Sequence, residues 1–279
     1  MMNYENTAAS WSQKKHGPIQ PDIMNQSYYR ECIIPWNSTT NKGSALFYEF
    51  KTAESLNRPI LMVPDTCMDM IVECDPVVPR AFFLGPSFKL RYLDLKPDTI
   101  YFGFKPYTEK GMIKSLVYHY KDLAGDRVDL QELINIEDLC ETLIEGISFR
   151  ERASIFKSFA QKHFINYDYK SDFIENLLCL LCGHTDELSL SEMFTKIGYS
   201  ARHCRQVFSD SYGIPPKQYC RIMRFQNAIS CFSHPSSTLS TDFNYLLSQN
   251  YYDQSHSIRD FKTFTSMPPA AFKKYILNQ

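Results

Sequence analysis

The sequence predicts a multidomain α+β chain in which a small β-barrel or sandwich precedes an all-helical C-terminal domain. Two patterns support this prediction. Short apolar runs separated by turn residues, which are typical of β-strands, occupy residues 27–120. From Leu130 onward the apolar residues recur every three or four positions, as they do on one face of a helix. With 279 residues, the chain is long enough for two cores and the segments that join them.

Residues 1–26 are predicted to form a flexible polar tail. The first twenty residues lack the apolar core of a secretory signal, and no run in the chain approaches the ~20 apolar residues that span a bilayer. The hydrophobic fraction of 44% excludes a disordered or fibrous protein. Nine cysteines at irregular spacing favour reduced thiols in a cytosol. We therefore expect a cytoplasmic protein that makes no membrane contact.

The N-terminal domain, residues 27–120, is predicted from five apolar runs. These runs cover residues 45–50, 60–63, 68–72, 81–84 and 100–104. Turn-forming pairs such as Pro64-Asp65 and Gly85-Pro86 lie between them, and we expect Asp65 to be a turn residue. Many short strands at this spacing are typical of a small barrel or sandwich.

A pocket for a small organic ligand is predicted in this domain. Its expected lining is aromatic, with an arginine at the entrance. The candidate residues are Phe83, Tyr92 and Tyr101 for the lining and Arg80 or Arg91 for the entrance. For each aromatic residue, a place in the ordinary core is the alternative.

A metal centre in this domain would require histidines beside a carboxylate. His119 is the only histidine between Ser27 and Val128. We therefore expect no metal, no cofactor and no catalytic residue. Thiols at Cys32, Cys67 and Cys74 leave a soft-metal or redox sensor as an alternative.

Residues 121–185 are predicted to form a helical connector that is also a candidate dimerisation segment. Leu139, Leu143 and Ile147 recur at helical spacing, and further helices are expected over residues 149–163 and 170–181. Residues 121–188 carry seven Lys and Arg against fourteen Asp and Glu, whereas residues 189–279 carry ten against five. This asymmetry is expected if the last third of the chain meets a polyanion.

The C-terminal domain, residues 186–279, begins with a helix-turn-helix pattern. Ser189-Leu190-Ser191-Glu192 has the form of a capping box, which starts a helix. Gly198 supplies the left-handed conformation that the following turn needs. Ser200 is expected to cap the next helix, in which Cys204, Val207 and Phe208 form an inward stripe.

The same plan returns about fifty residues later. Asn250 stands where the glycine stood, and Asp253 precedes a helix that carries Phe261 and Phe264. Both units close with a matching segment, Tyr212-Gly213-Ile214-Pro215-Pro216 in the first and Thr265-Ser266-Met267-Pro268-Pro269 in the second. Residues 217–232 between them predict one connecting helix. The sequence therefore predicts two helix-turn-helix units.

In each unit the second helix carries polar side chains opposite its apolar stripe. Such side chains reach base edges because the major groove is just wide enough for one helix. The candidate base-reading residues are Arg202, Arg205 and Gln206 in the first unit and Gln254, Ser255 and Arg259 in the second. The candidate phosphate contacts are His203, Lys217, His256 and Lys262. Two ordinary solvated faces are the alternative.

Residues 189–276 resemble the DNA-binding domain of the AraC/XylS transcription regulators. The first unit matches at Gly198-Tyr199-Ser200 and Tyr212-Gly213-Ile214-Pro215-Pro216-Lys217-Gln218-Tyr219. The second, more diagnostic unit matches at Tyr251-Tyr252-Asp253-Gln254-Ser255-His256-Ser257-Ile258-Arg259-Asp260-Phe261-Lys262-Thr263-Phe264-Thr265. The region upstream is similar to the cupin-like sensor domain of many members, for example at Pro64-Asp65-Thr66-Cys67-Met68-Asp69.

The resemblance implies an activator that inserts the second helix of each unit into successive major grooves of double-stranded DNA. It also implies a contact with RNA polymerase and control by a small-molecule effector in the cupin-like domain. The family register turns Ile258 toward the groove as a further base contact. A homodimer is a further expectation.

The chain departs from the family pattern at several core positions. Phe194 and Leu246 stand where alanine is usual, and Gln249 and Ser257 replace apolar residues. We therefore expect the second unit to have a thinner core and to contribute less affinity for DNA. Two other function classes stay open. One is an interaction protein of the same fold that reads DNA weakly, and the other is a cupin-like enzyme with a DNA-binding appendage, which the missing histidines disfavour.

Overall fold

The computed structural model describes residues 18–38, 41–75, 77–78, 80–106, 123, 125–130, 137–145, 148–163, 177, 190–230, 232 and 254–277. A sheet-rich N-terminal part precedes a helical C-terminal part, as the sequence predicts. The strands are β1 (Tyr28–Ser38), β2 (Asn41–Lys51), β3 (Ile60–Met62), β4 (Asp69–Glu73), β5 (Arg80–Leu84), β6 (Arg91–Leu93), β7 (Ile100–Pro106) and β8 (Arg127–Asp129). The helices are α1 (Pro21–Met24), α2 (Glu137–Glu145), α3 (Phe149–His163), α4 (Leu190–Ile197), α5 (Ala201–Tyr212), α6 (Pro216–Ser230), α7 (Gln254–Thr265) and α8 (Pro269–Leu277).

The described strands form two sheets. Six antiparallel strands make the large sheet, in the order β1-β2-β7-β4-β5-β8, and β3 pairs with β6 in a small sheet. Strands β1 and β8 lie at opposite edges of the large sheet, and no pairing between described residues joins them. The cupin-like closed barrel is therefore not formed by the described strands, and the sandwich that the sequence left as the other choice fits them better.

Both faces of the large sheet are buried and mainly apolar. Successive side chains of a strand point to opposite sides, and both sets pack against other parts of the structure. On one face Phe47, Phe102 and Phe104 surround Phe156 of α3, with ring centroids 4.9 to 6.2 Å from that ring. On the other face, residues such as Ile71 share a core with the small sheet. The large sheet is thus the middle layer between a helix and the small sheet.

Helix α3 is also fixed to the sheet by a buried ion pair. Arg152 donates to Glu49 Oε2 at 2.6 Å and, through Nε, to the carbonyl of Leu143 at 2.8 Å. Tyr28 donates to the other oxygen of Glu49 at 2.5 Å. These hydrogen bonds compensate the desolvation of both charges. Helices α2 and α3 lie in the predicted connector, and the predicted helix over residues 170–181 lies outside the described residues except for Leu177.

The segment before β1 is built into the fold. Ile19 and Asp22 are buried, and α1 begins with a proline that suits the first turn of a helix. The backbone N–H of Ile19 donates to Gln226 of α6 at 2.8 Å, and Asn25 donates to the carbonyl of Ile276 in α8 at 2.9 Å. The flexible tail predicted for residues 1–26 is therefore wrong for residues 18–26, while residues 1–17 lie outside the described part of the chain.

The helical part is held together by aromatic rings. Phe208 stacks on Tyr212 at 4.5 Å, and both rings meet Tyr219 of α6 edge-on. At the other end of α6, Phe225 contacts Phe261 of α7 at 5.0 Å, and Phe272 of α8 completes that cluster. The connecting helix thus carries α5 near its start and α7 near its end. Among the described residues, no helix is long and apolar enough to cross a membrane.

Candidate nucleic-acid interface

The first helix-turn-helix unit lies where the sequence places it. Helix α4 ends at Ile197, and Gly198 adopts a φ of +80° in the turn. Ser200 has extended backbone angles, and its hydroxyl accepts a hydrogen bond from the backbone N–H of His203 at 3.2 Å. This is the predicted N-cap of α5. Gly213 ends α5 in the left-handed conformation. The predicted capping box begins at Ser189, which lies outside the described residues.

Helix α5 buries one face and exposes the other. Cys204 and Phe208 are fully buried, whereas Arg202 and Arg205 are exposed. The guanidinium of Arg205 lies 5.5 Å from the ring centre of Phe194, which is itself buried in α4. Phe194, one of the residues that depart from the AraC/XylS pattern, therefore forms a platform beneath Arg205 through a cation–π contact.

Two other predicted DNA contacts on α5 interact with their neighbours. Gln206 is exposed, and its amide donates to both carboxylate oxygens of Asp210 at 3.0 Å. This pairing occupies the amide N–H groups that an adenine would need, and Asp210 adds a negative charge to the same helix face. The ring of His203 stacks on Tyr199 at 5.3 Å, at the start of the helix. Lys217 is exposed in the first turn of α6.

The second unit is described through α7. Gln254, Ser255, Arg259 and Lys262 are exposed, and Ile258 is half-buried. On the opposite face Ser257, Phe261 and Phe264 are buried. Ser257 satisfies its hydroxyl with the carbonyl of Gln254 at 2.9 Å, which explains how it occupies an apolar position. The preceding helix predicted around Leu246, with Phe243, Asn250 and Asp253, lies outside the described residues.

The sequence did not single out the buried charge on α7. Asp260 is fully buried, and its Oδ1 accepts two hydrogen bonds from Arg221 of α6, from Nε at 3.0 Å and from the second terminal nitrogen at 2.6 Å. Its Oδ2 lies 4.0 Å from Nε2 of His256, a predicted phosphate contact. The carboxylate therefore lies between the connecting helix and the start of α7. The partners are 39 positions apart, so no local pattern indicated the pair.

Comparison with known proteins identifies no family for the chain. No protein-family model matches it, and no curated protein matches it. Similar solved structures are those of ToxT from Vibrio cholerae. An apo lysine-to-alanine variant is 11% identical with a TM-score of 0.45, and the match covers 90% of this chain and 99% of that one. ToxT bound to an unsaturated fatty acid is 12% identical with a TM-score of 0.43, and the match covers 89% of this chain and 96% of that one. Similarity this low assigns no function.

The five residues predicted to line a ligand pocket do not meet at one site. Arg80 and Tyr92 are exposed. Phe83 lies in the core on the α3 side of the large sheet, whereas Tyr101 lies on the opposite face and accepts a hydrogen bond from the backbone of Lys96. Arg91 donates to the carbonyl of Gly85 at 2.9 Å.

A buried ionic cluster occupies the N-terminal part instead. Lys105 Nζ lies 2.5 Å from Asp65 Oδ2 and 3.2 Å from Asp69 Oδ2, and all three side chains are at most 3% exposed. Tyr48 donates to Asp69 at 2.6 Å. Asp65 was predicted to be a turn residue, and its Oδ1 accepts a hydrogen bond from the backbone N–H of Cys67 at 3.1 Å, as in a turn. Opposite charges in contact offset part of the desolvation.

The cluster sets the protonation of its members. Burial alone lowers the pKa of Lys105, but the charges of Asp65 and Asp69 outweigh it, so the pKa of this lysine is raised and it stays protonated. Burial raises the pKa of Asp69, although Lys105 and the Tyr48 hydrogen bond act in the opposite direction. The described residues contain no group of three or more His, Cys, Asp or Glu that could hold a metal ion.

Two of the candidate redox thiols have a raised pKa. Burial raises the pKa of Cys74 to about 12. Burial, assisted by the charge of Glu31, also raises the pKa of Cys32. Since the thiolate is the reactive form, these two residues argue against redox sensing at neutral pH.

The ionic cluster adjoins the connecting helix. The carbonyl of Pro64, next to Asp65, accepts a hydrogen bond from Gln226 Nε2 at 2.7 Å. The hydroxyl of Thr66 lies 4.0 Å from the sulfur of Met223. Residues 64–66 of the N-terminal part therefore pack directly on α6, the helix that carries both α5 and α7.

Proposed function

We propose that the chain is a sequence-specific DNA-binding transcription regulator, in which α5 and α7 read successive major grooves. One observation carries the proposal: two helices of twelve residues, held on a single connecting helix, each bury an apolar face and expose arginine and glutamine on the other. The fifteen residues of α6 span about 22 Å. With the widths of the two units added, this length is compatible with the ~34 Å of one DNA turn.

The proposed contacts divide into base readers and phosphate anchors. Base readers are Arg202, Arg205 and Gln206 on α5 and Gln254, Ser255, Ile258 and Arg259 on α7. Phosphate anchors are His203, Lys217, His256 and Lys262. Arginine suits a guanine edge and glutamine an adenine edge, whereas phosphate contacts position the protein without reading sequence.

The sheet-rich part is proposed to regulate these helices by holding a small-molecule effector. The contacts of residues 64–66 with Gln226 and Met223 support this role, because a change in the sheets would reach the helix that carries both units. The proposal includes a cytoplasmic activator that contacts RNA polymerase and acts as a homodimer.

DNA selection tests the function. The intact chain is incubated with a pool of random duplexes, and the affinity for the selected sequence is measured by fluorescence anisotropy at several salt concentrations. A preferred sequence and a steep loss of affinity with salt are expected, since several phosphates are neutralised. Arg202→Ala should weaken binding by about tenfold, which is the expected effect of losing the hydrogen bonds of one side chain to a base edge. Lys274→Ala, an exposed site on α8, is the matched control and should bind as the intact chain does. A pool without a preferred sequence would refute the proposal.

A second function class keeps one supporting observation. In an interaction protein that reads DNA weakly, the side chains that would read bases are expected to be engaged by other residues of the same helix. Gln206, whose amide donates to Asp210, is engaged in this way. Asp210→Asn tests whether the face of α5 that carries Gln206 meets DNA. A reader that must leave Asp210 gains affinity for the selected DNA when the carboxylate is removed, whereas a surface that does not meet DNA gains none.

A further inference from the structure

We propose that Arg221 and Asp260 form a positioning pair that sets the orientation of α7 on the connecting helix and thereby decides which bases the second unit reads. This inference rests on the proposed DNA-reading function. Asp260 is fully buried, on the face of α7 opposite the exposed Arg259 and Lys262. Asp260 therefore contacts no base itself, and the pair acts through the position of α7.

The apolar contacts of α7 specify its orientation less sharply than a hydrogen-bonded ion pair does. Phe261 and Phe264 pack against Phe225 with ring centroids at 5.0 and 5.3 Å. Burial of apolar surface is non-directional, so rings of this kind tolerate small rotations and shifts of a helix. Each residue of an α-helix advances the side-chain direction by about 100°, so a modest rotation re-aims every reader on α7.

The charged pair supplies the missing direction. Two nitrogens of one planar guanidinium bind a single carboxylate oxygen, at 3.0 and 2.6 Å, and the same guanidinium lies 5.5 Å from the ring centre of Phe264. Arg221 is thus held both by Asp260 and by a ring one turn further along α7. Charge-assisted hydrogen bonds of this kind are short and geometrically specific.

The pair also reaches the predicted phosphate contact of the second unit. Asp260 Oδ2 lies 4.0 Å from Nε2 of His256, a half-buried residue one turn earlier on α7. Asp260 directly precedes Phe261 in the core and follows Arg259 at the surface. Asp260 therefore contacts the connecting helix through Arg221, and its neighbours along α7 lie in the core and on the proposed DNA-binding face.

The experiment uses the full chain and the DNA sequence selected by it. Every base pair of that sequence is changed in turn, and the ratio of affinities for selected and changed DNA is measured. Arg205→Ala and Arg259→Ala assign base pairs to the first and second units. Asp260→Asn and Arg221→Gln then each remove the ion pair, and the double variant tests whether the two residues act together. Lys274→Gln, on the exposed surface of α8, is the control for the loss of one positive charge.

The expected result is local. Both single variants should reduce discrimination at the second unit's base pairs by about tenfold and leave discrimination at the first unit and the salt dependence unchanged. The double variant should lose no more than either single variant. Unchanged discrimination at the second unit, or an equal loss at both units, would overturn the proposal. If Asp260→Asn unfolds the chain, as shown by its melting curve, Arg221→Gln decides, because that residue is 29% exposed. Failure of the intact chain to select any sequence would instead refute DNA reading itself.

Discussion

Asp69 is the residue at which burial and charge oppose each other most directly. It is 1% exposed, and among the described residues no group forms a hydrogen bond with its Oδ1. Two carboxylates and one ammonium leave an excess negative charge in the Lys105 cluster when both aspartates are ionised. A proton on Asp69 removes that excess. Burial, which makes the unbalanced charge costly, raises the pKa of Asp69 even though Lys105 lies beside it.

Stability should consequently depend on the protonation of Asp69. Because its pKa is higher in the folded chain than in the unfolded chain, the folded chain binds this proton more tightly. The resulting stability is fully present below the ordinary pKa of about 4 and is lost as the pH rises through the raised value. Each tenfold difference in proton affinity corresponds to about 1.4 kcal/mol of unfolding free energy. Urea unfolding from pH 4 to pH 8 measures it.

The difference between the intact chain and Asp69→Asn isolates this residue from the other carboxylates. The variant should gain stability relative to the intact chain as the pH rises from 4 to 8. A constant difference across this range would show that Asp69 does not titrate there.

The ring of Tyr48 leaves no space for a side chain at Gly103. The two residues face each other across β2 and β7, and a Cβ on Gly103 would lie 2.0 Å from that ring. A shift of the ring would disturb the hydrogen bond that its hydroxyl donates to Asp69. Gly103→Ala should therefore destabilise the chain by about 1–3 kcal/mol. Urea unfolding of Gly103→Ala, Tyr48→Ala and the double variant tests the cause, because the double variant should cost less than the sum of the two.

At the scale of single residues, exposed positions were easier to predict from the sequence than buried charged pairs. Outward positions of α5 and α7 followed from helical periodicity, so Arg202 and Arg259 were placed correctly on the exposed faces. Lys105 and Asp65 are 40 positions apart, and their contact depends on how β7 approaches the turn after β3. A lysine directly after an apolar run predicts a solvated side chain, and only the second sheet layer buries Lys105.

At the scale of elements, the two units differ in how firmly their reading helix is built. Helix α5 has a serine N-cap, a left-handed glycine on each side, and an arginine held over Phe194. In the described part of the second unit, α7 is held by Arg221 and by its aromatic core, and the residues that precede α7 lie outside that part. The first unit should therefore contribute more to DNA affinity.

The comparison of Arg205→Ala with Arg259→Ala on the selected DNA tests this order. The first variant should weaken binding by about tenfold or more, and the second by less. Anisotropy titrations at one salt concentration give both values. If Arg205→Ala bound normally and Arg259→Ala did not bind, the order would be reversed.

The elements that the sequence missed share a physical cause. The five predicted runs coincide with β2, β3, β4, β5 and β7, all with buried residues. Strand β1 lies at a sheet edge and its described side chains are half-buried or exposed, so it lacks the clear alternation of a strand with one solvated face. Strands β6 and β8 have three residues each, too few for a period to be recognised.

At the scale of the whole molecule, the sequence separates the two parts but does not show how they meet. A change of period from two to about 3.6 marks the boundary. The interface is built from residues distant in sequence, such as Ile19 and Gln226, which are 207 positions apart. A polar segment before the first strand resembles a tail by composition. It becomes part of the core because both parts supply hydrogen-bond partners, Gln226 for its backbone and Leu61 and Val63 for its side chains.

Gln226 is the residue on which this interface most depends. Its side chain accepts from the N–H of Ile19 at 2.8 Å and donates to the carbonyl of Pro64 at 2.7 Å, and all three groups are buried. Gln226→Met keeps the volume but leaves that N–H and that carbonyl without a partner, which costs about 1–3 kcal/mol for each group. The helical part should then separate from the sheets before either part unfolds.

Scanning calorimetry measures this separation, since one heat-unfolding transition should become two. Asn227→Met, at the neighbouring and half-buried position of α6, is the matched control and should keep the single transition. A single transition in Gln226→Met at an unchanged temperature would contradict the prediction. It would mean that apolar contacts between the sheets and α6, such as those of Met223, suffice to hold the parts together, because non-directional burial does not need the buried amide.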